Sequence, residues 1–244
     1  MYRQGHPAMG PDNTYIYMIT EITKIVDSIY IIKLAPQGEN MKYEAGQYCK
    51  LLTDNMFKAY SIACAMNENN TLEIHFRQTH KNKKALLTFS SGHFMKISGP
   101  YGAVVYTNQD SPSLFIAEGI AIAPFKAIFE SQSFNRGTCN VHFVWILKRR
   151  EEAYILERIL ELQKKRKHFT FEIVINIEMS ENSINDIIYR NYKIIKGKNI
   201  YVAGSESLNI QIINMCTHFG IPINLIISDY KVCNEKVHSR LATL

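Results

Sequence analysis

From Thr14 the chain reads as a series of short β-rich runs: YIYMITEI, IYIIKLA, AGQYCKLLT, AYSIACAM, TLEIHFRQ and FMKISGP. Each is about 5–8 residues long, enriched in Tyr, Ile, Val and Phe, and bounded by Gly, Asn, Asp or Pro, which predicts strands of an antiparallel barrel or sandwich. The polar stretch Thr23 to Ser28 is expected to separate the first two runs. The one helix-like interruption is KNKKALLTF at 81–89. Ahead of these, residues 1–13 are rich in Gly, Pro and polar groups and read as an N-terminal arm.

After about Gln109 the period changes. SLFIAE is a short apolar strand that runs into GIAIAPFKAIFESQSF, where Ile120, Ala123, Ala127 and Ile128 have helical spacing. Apolar strands at NVHFVWIL, FTFEIVIN, KNIYVAG and INLIISDY then alternate with helices expected at EEAYILERILELQKKRKH, SINDIIYRNY and SLNIQIINMCTHFG. Strands alternating with helices of about 10–15 residues predict a parallel sheet with crossover helices. The expected organisation is therefore an arm at 1–13, an antiparallel β-barrel domain at 14–108 and a Rossmann-like α/β domain at 109–244, joined near the linker composition TNQDSPS.

Composition narrows the class. The 244 residues are 46% hydrophobic and 20% charged, ordinary globular usage, which excludes a disordered chain, a collagen and a coiled coil. Apolar runs such as Ile116 to Phe125 fall short of the roughly 20 residues of a membrane span. No basic start followed by an apolar stretch opens the chain, so no secretory signal and a cytoplasmic location are expected. The net charge of +6 is too mild for a nucleic-acid binder and suits an anionic cofactor or acidic partner. Five cysteines with no C-x-x-C spacing fit reduced thiols, and no His spacing of a metal site is visible.

In doubly wound sheets ligands bind at the carboxyl ends of strands, where small residues let a diphosphate approach a helix N-terminus. Ala117-Glu118-Gly119-Ile120-Ala121-Ile122-Ala123-Pro124 and Ala203-Gly204-Ser205-Glu206-Ser207 are two such turns. The same residue types also serve tight strand-to-helix packing. No G-x-S-x-G supports a hydrolase nucleophile.

Six motifs in order, AGQY (45–48), KAYSI (58–62), HFR (75–77), GPYG (99–102), IAEGIAIAPF (116–125) and YVAGSESL (201–208), resemble those of the ferredoxin–NADP reductase superfamily. Its NAD(P)H-flavin reductases, and the electron-transfer subunits of dihydroorotate dehydrogenase and sulfhydrogenase, are the most similar in pattern. The resemblance implies a flavoprotein oxidoreductase that passes electrons from NAD(P)H through bound FAD, with FMN as the alternative flavin, to a protein or small-molecule acceptor. It places Tyr60 against the flavin ring, Ser61 near the atom that takes the hydride, and Lys58, with Ala59 beside it, where the family has a phosphate-binding Arg. His75, Phe76 and Arg77 would line the flavin, and Asn82 and Lys83 would border its phosphates. Gly119, Ile120 and Ala121 would cradle the dinucleotide pyrophosphate, and Gly204, Ser205 and Glu206 would border the nicotinamide. Arg149 or Arg150 would touch the adenosine end, and Tyr230 could cover the flavin or lie in the core.

The chain also departs from the family pattern. Lys58 keeps the charge of Arg without its bidentate fork. His80-Lys81-Asn82-Lys83 stands where a glycine-rich phosphate loop is usual, and Ala203 replaces the nicotinamide-side Cys. Glu118 and Ala121 replace glycines of the dinucleotide loop, and unless Glu118 points away its charge should weaken NAD(P)H binding. Near the chain end Cys233 and His238 fall at the first two cluster-ligand positions of the electron-transfer subunits, but the remaining ligands are missing, so no iron–sulfur cluster is expected. The departures leave a second reading open: a catalytically lapsed relative that binds flavin or a partner without turnover. The run Lys164 to His168 is expected to be a solvated helix end, and Trp145 to be buried.

Overall fold

The computed structural model describes residues 13–26, 28–53, 55–82, 89–106, 111–175, 185–187, 189–190 and 198–230. Six antiparallel strands come first: β1 (Thr14–Val26), β2 (Ile29–Pro36), β3 (Tyr48–Thr53), β4 (Met56–Ser61), β5 (Leu72–Arg77) and β6 (Phe94–Tyr101), in the order β4-β3-β6-β1-β2-β5. The two edges meet through a bridge between Ile62 and Ile74, and Ala63 N–H donates to the Glu73 carbonyl at 2.7 Å, so the sheet curls into a barrel. Its interior is filled by Tyr17, Ile19, Ile32, Leu51, Ile74, Phe76 and Ile97.

β1 does not break at the polar stretch. It continues to Val26, with register shifts against β2 between Ile19 and Glu21 and between Lys24 and Val26. Such bulges bend a strand and raise its twist, so a long strand can follow a curved surface with polar residues on its outer side. Gly46, at φ +105°, is obligatory just before β3, because a Cβ there would stand 2.0 Å from the Val104 carbonyl oxygen.

Five parallel strands follow: β7 (Ser113–Glu118), β8 (Val141–Leu147), β9 (Phe169–Ile175), β10 (Asn199–Ala203) and β11 (Ile226–Ile227), in the order β11-β10-β7-β8-β9. Both faces are covered, as a parallel sheet requires. Phe115, Phe143, Trp145 and Tyr201 face an aromatic core with helix α1 (Ala123–Glu130), α2 (Gln132–Arg136) and α3 (Leu156–Lys165). Leu114, Ile116, Val144, Ile200 and Val202 face helix α4 (Glu206–His218) through Leu208, Ile212 and Cys216. The chain enters at β7, builds outward to β9, then returns to β10, so the topological switch point lies between β7 and β10.

Several boundaries differ from expectation. The first crossover helix opens as a 3-10 turn at Gly119–Ile122 and is cut at Ser131, whose hydroxyl caps α2 by accepting from Phe134 N–H. The helix expected from Glu151 starts as a separate 3-10 turn at Arg150–Glu152, and α3 begins only at Leu156. INLIISDY yields a two-residue strand after a 3-10 turn at Ile223–Leu225. Arg166 is not a solvated helix end: it is buried, its guanidinium 4.1 Å over the Phe134 ring and donating to the Phe134 carbonyl. Of KNKKALLTF, only Lys81 and Asn82, which end the 3-10 turn His80–Asn82, and Phe89 fall among the described residues. Of SINDIIYRNY, residues 185–187 and 189–190 are described and helical.

Candidate functional site between the barrel and the parallel sheet

Alternation along β5 assigns its side chains to two sides. Leu72, Ile74 and Phe76 point into the barrel, while Glu73, His75 and Arg77 share the opposite face. The α/β half covers that face, and each of the three residues takes one partner from it. Glu73 Oε1 lies 2.9 Å from Nζ of Lys126 on α1. His75 Nδ1 lies 2.7 Å from the Tyr154 hydroxyl. Arg77 forms a two-pronged bridge to Glu152, at 3.1 and 3.2 Å.

The rungs are linked. His75 Nε2 is 2.9 Å from Glu73 Oε1, and Lys126 also reaches the Ala63 carbonyl at 2.8 Å and Glu130 at 2.9 Å. The His75 side chain is wholly buried, which pushes its basicity down against the pull of Glu73. Burial pushes the Glu73 carboxyl up, but the His75 hydrogen bond and the Lys126 charge outweigh it and hold the group at about 2. Burial and the Glu73 charge keep Tyr154 a phenol. One protonation pattern satisfies every partner: Tyr154 O–H donates to Nδ1 of a neutral His75, whose Nε2–H donates to the Glu73 carboxylate. Burial likewise raises the Glu152 carboxyl, and the Arg77 bridge more than reverses this.

β4 carries Lys58, Ala59, Tyr60 and Ser61 as four consecutive residues on the strand that begins the sheet. Lys58 and Tyr60 share a face by the two-residue period, and the Tyr60 ring packs at 6.2 Å from Phe76. Phe76 itself is 1% exposed, within ring contact of Tyr30, Tyr60 and Phe89, so its side chain belongs to the barrel core. The His75 ring is taken up by Glu73 and Tyr154, which leaves only its backbone for the flavin contact expected of it. Arg77 is committed to Glu152, with Nη2 against Gly119. Asn82 is used locally, its side-chain oxygen accepting from Thr79 N–H at 2.6 Å and its amide donating to the Arg77 carbonyl at 2.8 Å. Lys83 lies outside the described residues.

At the carboxyl end of the parallel sheet, Gly119 turns at φ +55° and leads through Ile120 and Ala121 into α1. The buried Trp145 fixes this turn, its Nε1–H donating to the Gly119 carbonyl at 2.9 Å. Arg77, Glu118, Gly119, Ile120, Ile146, Leu147, Lys148 and Glu152 line a cleft of about 190 Å³. The Glu118 side chain faces the turn after β10. Its Oε2 accepts from Ser205 N–H at 2.8 Å across the switch point. Gly204 is close behind, since a Cβ there would lie 2.9 Å from Glu118 Cβ. Beyond α4, Tyr230 O–H donates to Glu206 at 2.6 Å, and Asp229 Oδ1 accepts from Ala103 N–H at 3.0 Å, tying the end of the sheet to the GPYG turn.

Residues 17–106 match the oxidoreductase FAD-binding domain family. A CDP-6-deoxy-L-threo-D-glycero-4-hexulose-3-dehydrase reductase of Yersinia pestis is 29% identical over 136 residues, covering 54% of this chain and 41% of that protein. The reductase component of a propane 2-monooxygenase of Rhodococcus jostii is 22% identical over 228 residues, covering 86% and 62%. Among solved structures, a ferredoxin–NADP+ reductase of Plasmodium falciparum superposes with a TM-score of 0.77 at 14% identity, covering 88% of this chain and 95% of that one. The chain therefore shares the two-domain fold of the ferredoxin–NADP reductases, and its barrel half is similar to an oxidoreductase FAD-binding domain. It spans about half the length of the curated relatives it matches, 41% and 62% of the two described.

In this reductase fold the donor set of β4 fits a flavin. A half-buried aromatic ring at Tyr60, a hydroxyl at Ser61 and a cation at Lys58 suit a flat ring system with an anionic tail. Arg77, expected to contact the flavin or its phosphates, already holds the Glu152 carboxylate, which weakens that part of the fit. Glu73, Lys126, Glu152 and Tyr154 escaped the sequence reading. Lys126 did leave a signal, as the one charge inside the apolar run APFKAIF.

Proposed function

We propose that this chain is an FAD-dependent reductase unit that takes reducing equivalents from NAD(P)H and passes them to a partner protein. The observation that carries this reading is the match of residues 17–106 to the oxidoreductase FAD-binding domain, with Lys58 to Ser61 on its β4 strand. In the proposal residues 14–108 form the flavin domain and 109–244 the dinucleotide domain. The reductase components among its relatives support a protein acceptor.

Bound FAD supplies the chemistry, accepting a hydride and releasing electrons to the acceptor. The chain supplies position. Tyr60 gives the flavin an aromatic face, Ser61 a hydroxyl beside the reacting edge, and Lys58 a charge for the phosphates. The Gly119 turn, held by Trp145, presents backbone to the dinucleotide at the start of α1. The ladder from β5 to α1 and Tyr154 fixes the distance between the two halves and keeps water from the seam.

The test is the visible spectrum of purified protein, taken anaerobically before and after NADH and then NADPH. A yellow protein that bleaches supports the reading and names the donor. A protein that stays colourless after incubation with FAD or FMN refutes it.

A further inference from the structure

Glu118 occupies the one place in a doubly wound sheet where ligands normally enter, the gap beyond the carboxyl ends of the strands flanking the switch point. Its backbone ends β7, and its carboxylate reaches the backbone of the turn after β10, accepting from Ser205 N–H at 2.8 Å. Ser205 is the N-cap of α4, a 13-residue helix, so the carboxylate rests at the end of the helix that attracts anions. The turn that receives it is braced. Asn209 donates to the Gly204 and Ser205 carbonyls at 3.3 and 2.9 Å, and its oxygen is 2.5 Å from Ser228 Oγ. Glu206, in the first turn of α4, adds a second carboxylate, held by Tyr230. Glu118 also borders the cleft under Gly119.

We propose that Glu118 is a specificity residue that stands in for an anionic ligand at the β7–β10 crevice and so sets a weak affinity for NAD(P)H. This rests on the reductase reading above. A dinucleotide brings phosphate charge into a crevice whose α4 terminus already holds a carboxylate. It must displace the Glu118–Ser205 bridge or bind alongside it, with its phosphates carried by Lys148 and the Gly119 turn. Either route lowers affinity, while the uncharged ring of a reduced nicotinamide meets no such penalty.

The experiment compares wild type, Glu118→Gln and Glu118→Gly, each loaded with FAD, by calorimetric titration with NADPH and with NADH and by KM in an artificial-acceptor assay. Glu118→Gln removes the charge and keeps an oxygen to accept from Ser205 N–H; Glu118→Gly also clears the space. Affinity is expected to rise from wild type to Gln to Gly, by about tenfold or more overall, with KM falling in the same order. A gain of affinity is a result that damage to the fold does not produce, and urea midpoints confirm that each variant is folded. A wild-type affinity within threefold of both variants overturns the proposal and leaves the reductase reading standing. Flavin-loaded proteins that bind neither dinucleotide in any of the three forms overturn both the proposal and NAD(P)H as donor.

Discussion

Replacing Lys126 by Met tests whether the β5 ladder holds the two halves together. The side chain is 5% exposed and its ammonium serves Glu73, Glu130 and the Ala63 carbonyl, all within 3.1 Å. Met fills nearly the same volume, so the change removes charge rather than packing. Glu73 then keeps only His75 as a charge-stabilising partner. Its carboxyl sits at about 2 instead of 4.5, and losing that depression is worth about 3 kcal/mol, of which the His75 hydrogen bond retains a part. Leaving one member of a buried pair uncompensated costs about 3–5 kcal/mol, so a loss near 3 kcal/mol is expected, or about 6–12 °C in Tm for a chain of this size. Urea unfolding at neutral pH reads it. The double variant Lys126→Met with Glu73→Gln should recover about half of the loss, because no buried carboxylate is left alone at that rung. A single-variant loss under about 1 kcal/mol, or strict additivity of the two changes, would refute the ladder as a buried electrostatic contact.

Acid should loosen the same seam. His75 and Glu73 are both shifted down in the folded state, so the unfolded chain binds more protons and stability is full only above the ordinary His range. Urea midpoints should fall as pH drops below about 6.5, and fall again from about 4.5 toward 2, with His75→Gln reducing the first phase, to which the half-buried His142, also shifted down by burial, contributes as well. Trp145→Phe should lose about 1 kcal/mol for its bond to the Gly119 carbonyl, with faster amide exchange confined to the turn at 119–122. Gly46→Ala should fail to accumulate as folded protein, since its Cβ would overlap the Val104 carbonyl at a φ that alanine avoids; a soluble variant with unchanged Tm would disprove this.

Local pattern made most of the framework legible. The barrel strands, the alternation of strands and helices after Gln109 and the two small-residue turns follow from periodicity and from Gly, Asn and Pro at the boundaries. β1 escaped because its polar stretch belongs to a bulged strand, and each bulge interrupts the period-two alternation by which a strand is recognised. The same alternation shows that Glu73, His75 and Arg77 share a face, yet not what covers it. Their partners lie 53, 79 and 75 positions further along the chain, a separation no local pattern carries. The HFR motif therefore did not reveal that its two polar side chains are engaged by Tyr154 and Glu152, nor that the ring between them is core. Arg166 is a similar case: within KKRKH it looks like every other cation, and only the aromatic wall at Phe134 distinguishes it.

The ladder and the Glu118 bridge act on one geometry from two sides. Arg77 lies against Gly119, so the last rung of the barrel's docking face is also a wall of the cleft at the first strand turn. On the far side of that turn, Glu118 ties β7 to the start of α4. The six residues from Glu118 to Ala123 are thus fixed at both flanks and from beneath by Trp145, and each fixing group is itself buried or bonded. In the proposed function, a turn held this way would position a dinucleotide well but adapt to it poorly. Its affinity for such a ligand would then be governed by which charges its walls already contain, and less by how far its backbone can move. Lys148 and Glu118 line the same cleft with opposite charges, so on the proposal above the balance between these two side chains would decide whether an anion is drawn in or turned away.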